Sequence, residues 1–296
     1  MRCALIIILI FLLATSTAAV PQTLESQLNT IMHERHGTAV LIDVASAKVL
    51  AAYHPDVAAR RLALPGSTVK VFTLVALLES GKLKADERFL CRRNVRVGKA
   101  NLACSHPQTG QPFDAVSALA YSCNDYFSSM ATRLTAQELR DAFIHSGLTS
   151  QTKLVPNEAT GSIVLTQMRE QRRLQAVGEF GIHVTPLELL SSFRMLAQRR
   201  RAASVSDAER TVFAGLEAGT DYGMARLAQP EGLRVAGKTG TSRAEQGPWT
   251  HGWFAGYAPA DSPKVAIVVF LERGTGPGDA APLAAQILQA WMAEAK

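Results

Sequence analysis

Three short strings of polar residues have the types and spacing needed for acyl transfer through a serine. Ser67 stands three residues before Lys70, so both side chains share a face if the segment is helical. A serine hydroxyl is a weak nucleophile until a base removes its proton, and a lysine in apolar surroundings can act as that base because its pKa is lowered there. The spacing therefore predicts Ser67 as nucleophile and Lys70 as its proton acceptor.

The second string is Ser122-Cys123-Asn124, at a break between two helical stretches. Residues two apart on such a turn can both face a cleft. We expect Ser122 to relay a proton between Lys70 and a leaving amine, and Asn124 to bind a substrate amide. The same residues could also cap the helix that follows, and the two interpretations are compatible.

The third string, Lys238-Thr239-Gly240, lies on a predicted strand. Lys238 and Thr239 are suited to bind a carboxylate, and Gly240 lets a substrate approach the backbone. The backbone N–H of Thr241 would pair with that of Ser67 as an oxyanion hole, a device that commonly contributes about 3–4 kcal/mol to acyl transfer. Each string alone is weak, since a Gly-Lys-Thr-Gly turn is common, but their order and spacing argue against coincidence.

The elements that must position these strings follow from hydrophobic patterning. The segment from Ser67 to Glu79 is apolar nearly all round, which predicts a buried helix. Further helices are expected within residues 24–35, 114–146, 187–198 and 282–295, and strands at 38–44, 48–53, 234–241, 250–258 and 265–271. Strands at both ends and helices between them predict an α+β fold, with an antiparallel sheet and an inserted helical subdomain.

Composition and charge place the chain among ordinary globular proteins. Its 296 residues are 47% hydrophobic and 19% charged, and its formal net charge is +6. This charge could favour an anionic polymer of the cell envelope, but it is too small to indicate nucleic acid. The run Arg199–Arg201 is interpreted as a solvated helix end.

The N-terminus has the pattern of a secretory signal peptide. Arg2 precedes an apolar run from Ala4 to Ala14, and small residues follow as far as Ala19. The run is shorter than the roughly 20 apolar residues of a membrane span, so cleavage after Ala18 or Ala19 is preferred over an uncleaved anchor. We therefore expect an exported bacterial protein, periplasmic or extracellular, that touches the membrane only through this segment if it stays uncleaved.

Three cysteines remain after export. Cys91 and Cys104 are 13 residues apart in a polar stretch, and a disulfide between them would suit an oxidising compartment. Two free thiols are the alternative. A zinc site that includes His106 lacks an evident fourth ligand, so no metal site is predicted. Cys123 is interpreted as a small buried hydrophobic residue.

The residues around the three strings carry a family resemblance. The flanking sequences are LPGSTVKVFT at 64–73, ALAYSCNDYF at 118–127, VTPLEL at 184–189, VAGKTGTS at 235–242 and GWFAGYAP at 252–259. Together they resemble the transpeptidase domain of high-molecular-mass penicillin-binding proteins, from about Gly37 to the C-terminal helix. We interpret residues 20–296 as this domain, with an α/β lobe at about 20–66 and 202–296 and a helical lobe at about 67–201.

The resemblance implies a five-stranded antiparallel sheet, an all-helical lobe and a site in the cleft between them. It also implies an acyl-serine enzyme that acts on the D-alanyl-D-alanine ends of peptidoglycan stem peptides. Ser67 would attack the penultimate carbonyl, D-alanine would leave, and an amine or water would resolve the ester. β-Lactams would acylate the same serine, and no cofactor or metal would be needed. Only about 47 residues separate the expected cleavage point from Ser67, too few for the N-terminal module that typical members carry. An envelope protein partner could tether this domain, because a soluble domain would lack their membrane localisation.

Two other functions stay open. Class D β-lactamases resemble the chain in Ser-Thr-x-Lys, Lys-Thr-Gly and Gly252-Trp-Phe, although their second motif ends in an apolar residue where this chain has Asn124. Class A enzymes use a glutamate in an E-x-x-x-N string, which none of Glu158, Glu170 and Glu179 provides. A non-catalytic sensor of β-lactams or muropeptides is the third hypothesis, although the transmembrane helices of such sensors are not visible.

Overall fold

The structure is a computed structural model that describes residues 23–294. The predicted signal peptide, residues 1–19, lies outside the described residues. The helices are α1 Leu24–Met32, α2 Pro55–Arg60, α3 Lys70–Glu79, α4 Ala115–Ala120, α5 Asn124–Met130, α6 Ala136–His145, α7 Arg169–Gln175, α8 Pro186–Arg200, α9 Asp207–Asp221 and α10 Ala281–Glu294. The strands are β1 Gly37–Asp43, β2 Val49–Tyr53, β3 Asn94–Val97, β4 Ala100–Ala103, β5 Ser162–Ile163, β6 Ile182–His183, β7 Ala236–Arg243, β8 Thr250–Ala258 and β9 Val265–Leu271.

Five strands form the central antiparallel sheet in the order β2-β1-β9-β8-β7. The first and last parts of the chain therefore meet in the middle of the sheet, where β1 pairs with β9 along its whole length. Every residue of β9 is buried, as expected for a central strand that is covered on both faces. The predicted α+β fold with a five-stranded antiparallel sheet is confirmed.

Helices cover both faces of the sheet. On one face α1 and α10 pack on apolar side chains such as Phe254 and Ile267. On the other face α8 packs against β8 and β9, and the core continues through α3 into the helices between β2 and α8. Phe72 of α3 meets Phe193 of α8 edge to face, with ring centroids 6.0 Å apart. The helix that carries Lys70 is therefore fixed at the centre of the molecule.

Local signals define several helix starts in the helical part. Thr135 and Glu138 form a capping box at α6, and Thr185 and Glu188 form another at α8, where Pro186 occupies the first turn. A two-stranded hairpin, β3–β4, lies beside α5. Within residues 23–294, no helix is long and apolar enough to cross a membrane.

The structure departs from the sequence prediction at the first motif. The predicted helix from Ser67 begins as a 3-10 turn over Gly66–Val69, and the α-helix starts only at Lys70. Gly66 opens this tighter turn with a φ of 54°, in the left-handed region that glycine adopts without strain.

Candidate active site

The three motifs meet at one cleft of about 190 Å³ between the β7 edge of the sheet and the helical part. The residues that line it are Ser67, Ala103, Ser105, Ser122, Asn124, Glu179, Met224, Thr239, Gly240, Thr241 and Pro277. Of the predicted site residues, Lys70 and Lys238 are buried behind this lining. The structure therefore brings all three predicted strings together.

The turn that carries Ser67 is pressed against β7. A Cβ added at Gly66 would lie 2.6 Å from the carbonyl oxygen of Thr241, and one added at Gly240 would lie 2.6 Å from the carbonyl oxygen of Pro65. Gly240 is therefore required for contact between the turn and the strand, in addition to the substrate approach that we predicted for it. This contact places the backbone of Ser67 beside that of Thr241, as the predicted oxyanion hole needs.

Lys70 is completely buried, and its Nζ is held by the second motif. It donates to the carbonyl oxygen of Ser122 at 2.7 Å, to Ser122 Oγ at 3.2 Å and to Asn124 Oδ1 at 2.5 Å. Burial lowers the pKa of Lys70 to about 8, although negative charge on nearby cysteines and on Glu179 opposes the shift. The lowered pKa increases the fraction of neutral amine, which is the form that a base for Ser67 requires.

The second motif is an unusual turn with well-defined contacts. Ser122 has a φ of 55°, a left-handed conformation that is uncommon outside glycine, and it directs its carbonyl and hydroxyl oxygens to Lys70. Asn124 bonds Lys70 through Oδ1 and donates from Nδ2 to the carbonyl oxygen of Ala103 at 2.8 Å. The Asn124 amide, which we expected to bind substrate, thus also positions Lys70 and hairpin strand β4.

The third motif supplies the opposite wall of the cleft. Lys238 is buried and donates to the carbonyl oxygen of Thr239 at 3.0 Å. Burial, followed by the positive charge of Lys70, holds its pKa well below the ordinary lysine value. The Thr241 hydroxyl accepts a hydrogen bond from the backbone N–H of Gly276 at 3.0 Å, so the segment before α10 covers this end of the strand.

The penicillin-binding protein transpeptidase domain matches this chain over residues 37–292, which include all three motifs and the whole central sheet. The chain belongs to this family.

Curated relatives of this transpeptidase domain match at low identity. Peptidoglycan D,D-transpeptidase PbpA of Mycobacterium tuberculosis is 24% identical over 267 residues, which cover 76% of this chain and 54% of the relative. Stage V sporulation protein D of Bacillus subtilis is 26% identical over 268 residues, covering 76% of this chain and 41% of the relative. The chain thus spans about half the length of the curated relatives that it matches.

Solved structures share the fold of this transpeptidase domain. The D,D-transpeptidase domain of a peptidoglycan glycosyltransferase from Eggerthella lenta superposes with a TM-score of 0.78 at 21% identity, covering 92% of this chain and 81% of that one. A peptidoglycan glycosyltransferase from Burkholderia ambifaria gives a TM-score of 0.78 at 19% identity, covering 92% and 93%.

Glu179 is a cleft residue of this transpeptidase domain that sequence reasoning missed as a functional group. Glu179 lines the same cavity as Ser67. Burial raises its pKa to about 7, although the positive charges of Arg243 and Lys70 oppose the shift. No sequence signal pointed to Glu179, because its segment reaches the nucleophile turn through a contact between Gly178, whose φ is 79°, and Gly66.

The expected disulfide is absent from the structure. Cys91 and Cys104 have free thiols whose Sγ atoms lie 3.7 Å apart, far beyond the roughly 2.05 Å of a disulfide bond. Cys123, interpreted from the sequence as a small buried hydrophobic residue, is indeed buried, but its Sγ lies 3.9 Å from that of Cys104. Three sulfur atoms thus share one site beside the second motif.

Proposed function

We propose that the protein is an acyl-serine D,D-peptidase or transpeptidase that acts on D-alanyl-D-alanine stem peptides of peptidoglycan and is acylated by penicillins. The observation that carries the proposal is the placement of Lys70. Its Nζ, with a lowered pKa, is held between Ser122 and Asn124 behind the cleft that Ser67 and the third motif line. The names of the curated relatives support the same reaction.

The reaction uses these groups in a defined order. Neutral Lys70 takes the proton of the Ser67 hydroxyl, and Ser67 Oγ bonds the penultimate D-alanine carbonyl carbon. The negative charge that develops on the carbonyl oxygen is stabilised by the backbone N–H groups of Ser67 and Thr241. Ser122 passes the proton from Lys70 to the leaving nitrogen as the C–N bond breaks, and D-alanine departs.

The acyl-ester is resolved by an acceptor that must itself lose a proton, and Glu179 supports this step. A carboxyl with a pKa near 7 that lines the Ser67 cleft can accept a proton from an attacking amine or water. If water is the faster acceptor for a penicilloyl ester, the protein is a β-lactamase, and Glu179 is the feature of the cleft that favours this second function.

We propose the cell envelope as the place of action. The pattern at residues 1–19 supports export, and the proposed substrate is an envelope polymer. Protein isolated from the producing bacterium should therefore begin at Ala19 or Val20 by N-terminal peptide mass. An intact Met1 in the envelope fraction would indicate an anchor instead, and protein found only in the cytoplasm would refute export.

The proposed function is tested by an intact-mass time course with benzylpenicillin. Wild type should gain one penicilloyl group, Ser67→Ala should gain none, and Ser150→Ala should behave as wild type because Ser150 is an exposed serine outside the cleft. Rapid loss of the adduct with consumption of penicillin would identify a β-lactamase. No adduct on wild type would refute both enzymatic functions and leave only a sensor of muropeptides.

A peptide assay completes the test of the substrate. Penicillin-acylated protein and free protein are each incubated with a stem peptide that ends in D-alanyl-D-alanine, and the D-alanine that each releases is measured. Release by free wild type and its absence from Ser67→Ala would support the proposal. A stable penicillin adduct without any release from stem peptides would favour the sensor.

A further inference from the structure

Four side chains of the types that bind metal ions form a cluster beside the second motif. They are Cys91, Cys104, His106 and Cys123, and their four ligand atoms all lie within 4.8 Å of one another. Cys91 Sγ lies 3.7 Å from Cys104 Sγ and 3.5 Å from His106 Nε2, and the Sγ atoms of Cys104 and Cys123 are 3.9 Å apart. No metal site was predicted from the sequence because a fourth ligand was not evident, and the structure brings Cys123 to that place.

These separations match the edges of a zinc tetrahedron. With Zn–S bonds of about 2.3 Å and a Zn–N bond of about 2.0–2.1 Å, tetrahedral angles give S···S edges of about 3.8 Å and S···N edges of about 3.5 Å. A disulfide would instead bring two of the sulfurs within roughly 2.05 Å. Three of the six edges of the cluster thus have the lengths of a Cys3His site before any ion is added, and the remaining pairs of ligand atoms are no more than 4.8 Å apart.

The surroundings of the cluster also suit bound metal. His106 Nδ1 lies 2.8 Å from the carbonyl oxygen of Pro107, and because a carbonyl only accepts, Nδ1 carries the hydrogen. The lone pair of Nε2 is therefore on the atom that lies among the sulfurs. The backbone N–H groups of Arg93 and Tyr126 donate to the sulfurs of Cys91 and Cys123 at 3.3 and 3.4 Å. Such outer partners fix the orientation of metal ligands and favour the thiolate form.

We propose that Cys91, Cys104, His106 and Cys123 bind one structural zinc ion that ties the β3–β4 hairpin to the second catalytic motif. Four protein ligands fill a tetrahedral site and leave no open position for chemistry, so the ion is structural. Three thiolates and one neutral imidazole are soft ligands in a geometry that suits zinc. Cys104, His106 and Cys123 are buried, and Cys91 is half-buried.

The site lies where it can influence the reaction without touching the substrate. Cys91 precedes the hairpin, Cys104 and His106 follow it, and Cys123 stands between Ser122 and Asn124. Fixing Cys123 therefore fixes both neighbours that hold Lys70. Cys123 is thus a positioning residue, which acts on Lys70 through Ser122 and Asn124.

The first test is metal content. The purified full chain is reduced, equilibrated with zinc, freed of excess ion and measured by plasma mass spectrometry. We expect about one zinc per chain, and replacement by Co²⁺ should give the thiolate-to-cobalt charge-transfer band and the intense d–d bands of a tetrahedral thiolate site. These wild-type readouts depend neither on a variant that folds nor on the proposed enzymatic function.

Variants then assign the ligands. Cys91→Ser and His106→Ala should each lower the zinc content from about one to well below a half and shift the cobalt spectrum. His145→Ala, an exposed histidine at the end of α6, should keep full zinc and is the matched control. Zinc-loaded wild type should also be acylated by penicillin at least tenfold faster than the metal-free protein. This last readout rests on the proposed function, whereas the metal content and the cobalt spectrum test zinc binding even if penicillin does not react.

Three results would overturn the proposal. The first is a reduced wild type that takes up neither zinc nor cobalt. The second is protein isolated from the bacterium with a Cys91–Cys104 disulfide, detected as a 2 Da mass deficit and a cross-linked peptide. The third is uptake of metal that Cys91→Ser and His106→Ala leave unchanged, which would place the ion elsewhere.

Discussion

The rate of acylation should follow the ionisation of Lys70. Burial lowers its pKa to about 8, and Ser67 needs the neutral amine. Raising the pH removes the proton from Lys70 and therefore increases the fraction of active enzyme. From a pKa of about 8, the neutral fraction is about 1% at pH 6, about 9% at pH 7 and about 50% at pH 8.

The second-order rate constant for benzylpenicillin should therefore rise about 50-fold between pH 6 and 8, and only about twofold more by pH 10. A lysine with an ordinary pKa of about 10.4 would instead give a rise of about tenfold per pH unit up to pH 10. The assay is quenched labelling with a fluorescent penicillin, followed by gel quantification at short times. A profile that is flat from pH 6 to 8, or one that still climbs tenfold per unit above pH 9, would refute the reasoning.

Glu179 must be separated from Lys70 in this profile, because its own pKa is raised to about 7. Glu179→Gln removes that ionisation and keeps the shape of the side chain. The inflection near pH 8 should remain in this variant, displaced downward because one opposing negative charge is lost. Loss of the inflection would assign it to Glu179 and not to Lys70.

The other predictions concern the turn that joins the Glu179 segment to the nucleophile. Gly178→Ala should lower the free energy of unfolding by about 2–5 kcal/mol, because its φ is 79° and the added Cβ would lie 2.0 Å from the carbonyl oxygen of Gly66. Gly232, with a φ of 75° and open space around it, is the control, and Gly232→Ala should lower the free energy of unfolding by only about 1–2 kcal/mol. Equal losses of unfolding free energy for the two variants in thermal unfolding would contradict the steric argument. Glu179→Gln should slow release of the penicilloyl group by about 100-fold and should leave the acylation rate at pH 8 within about threefold of wild type. An unchanged lifetime of the adduct would show that Glu179 has no part in deacylation.

The sheet and the three motifs were predictable because their signals are local. The two strands Thr250–Ala258 and Val265–Leu271 were predicted with the bounds that the structure has, since the second is a continuous apolar run and the first contains three aromatic residues of the types enriched in strands. Helix α9 was missed although Ser206 and Glu209 form a capping box at its start. Its apolar residues are diluted by small and charged ones, so periodicity alone gave a weak signal.

The rest of the site depends on contacts that no local pattern contains. Cys91 and Cys123 are 32 residues apart, and only the packing of the hairpin against α5 brings their sulfurs to one place. Glu179 likewise reaches the cleft because Gly178 packs on Gly66, more than a hundred residues earlier in the chain. The motif residues could therefore be identified from the sequence, whereas the other polar groups of the site could be identified only from the fold.

The charges of the cleft suggest how substrate binding and base activation are linked. Lys70 and Lys238 are both buried, and the positive charge of Lys70 is one cause of the lowered pKa of Lys238. The interaction is reciprocal, so a charge that forms on Lys238 lowers the pKa of Lys70. The C-terminal carboxylate of a stem peptide, or the carboxylate of a penicillin, favours protonated Lys238 when it binds at the third motif.

Protonation of Lys238 would in turn favour the neutral Lys70 that Ser67 needs. The negative charge of the carboxylate itself raises the pKa of Lys70. The pKa of Lys70 therefore falls on binding only if the carboxylate lies nearer to Lys238 than to Lys70. The placement of the two lysines behind different walls of the cleft meets this requirement, since Lys70 bonds the second motif and Lys238 bonds Thr239. At saturating penicillin, the inflection in the acylation profile should therefore lie below its position in the second-order rate constant.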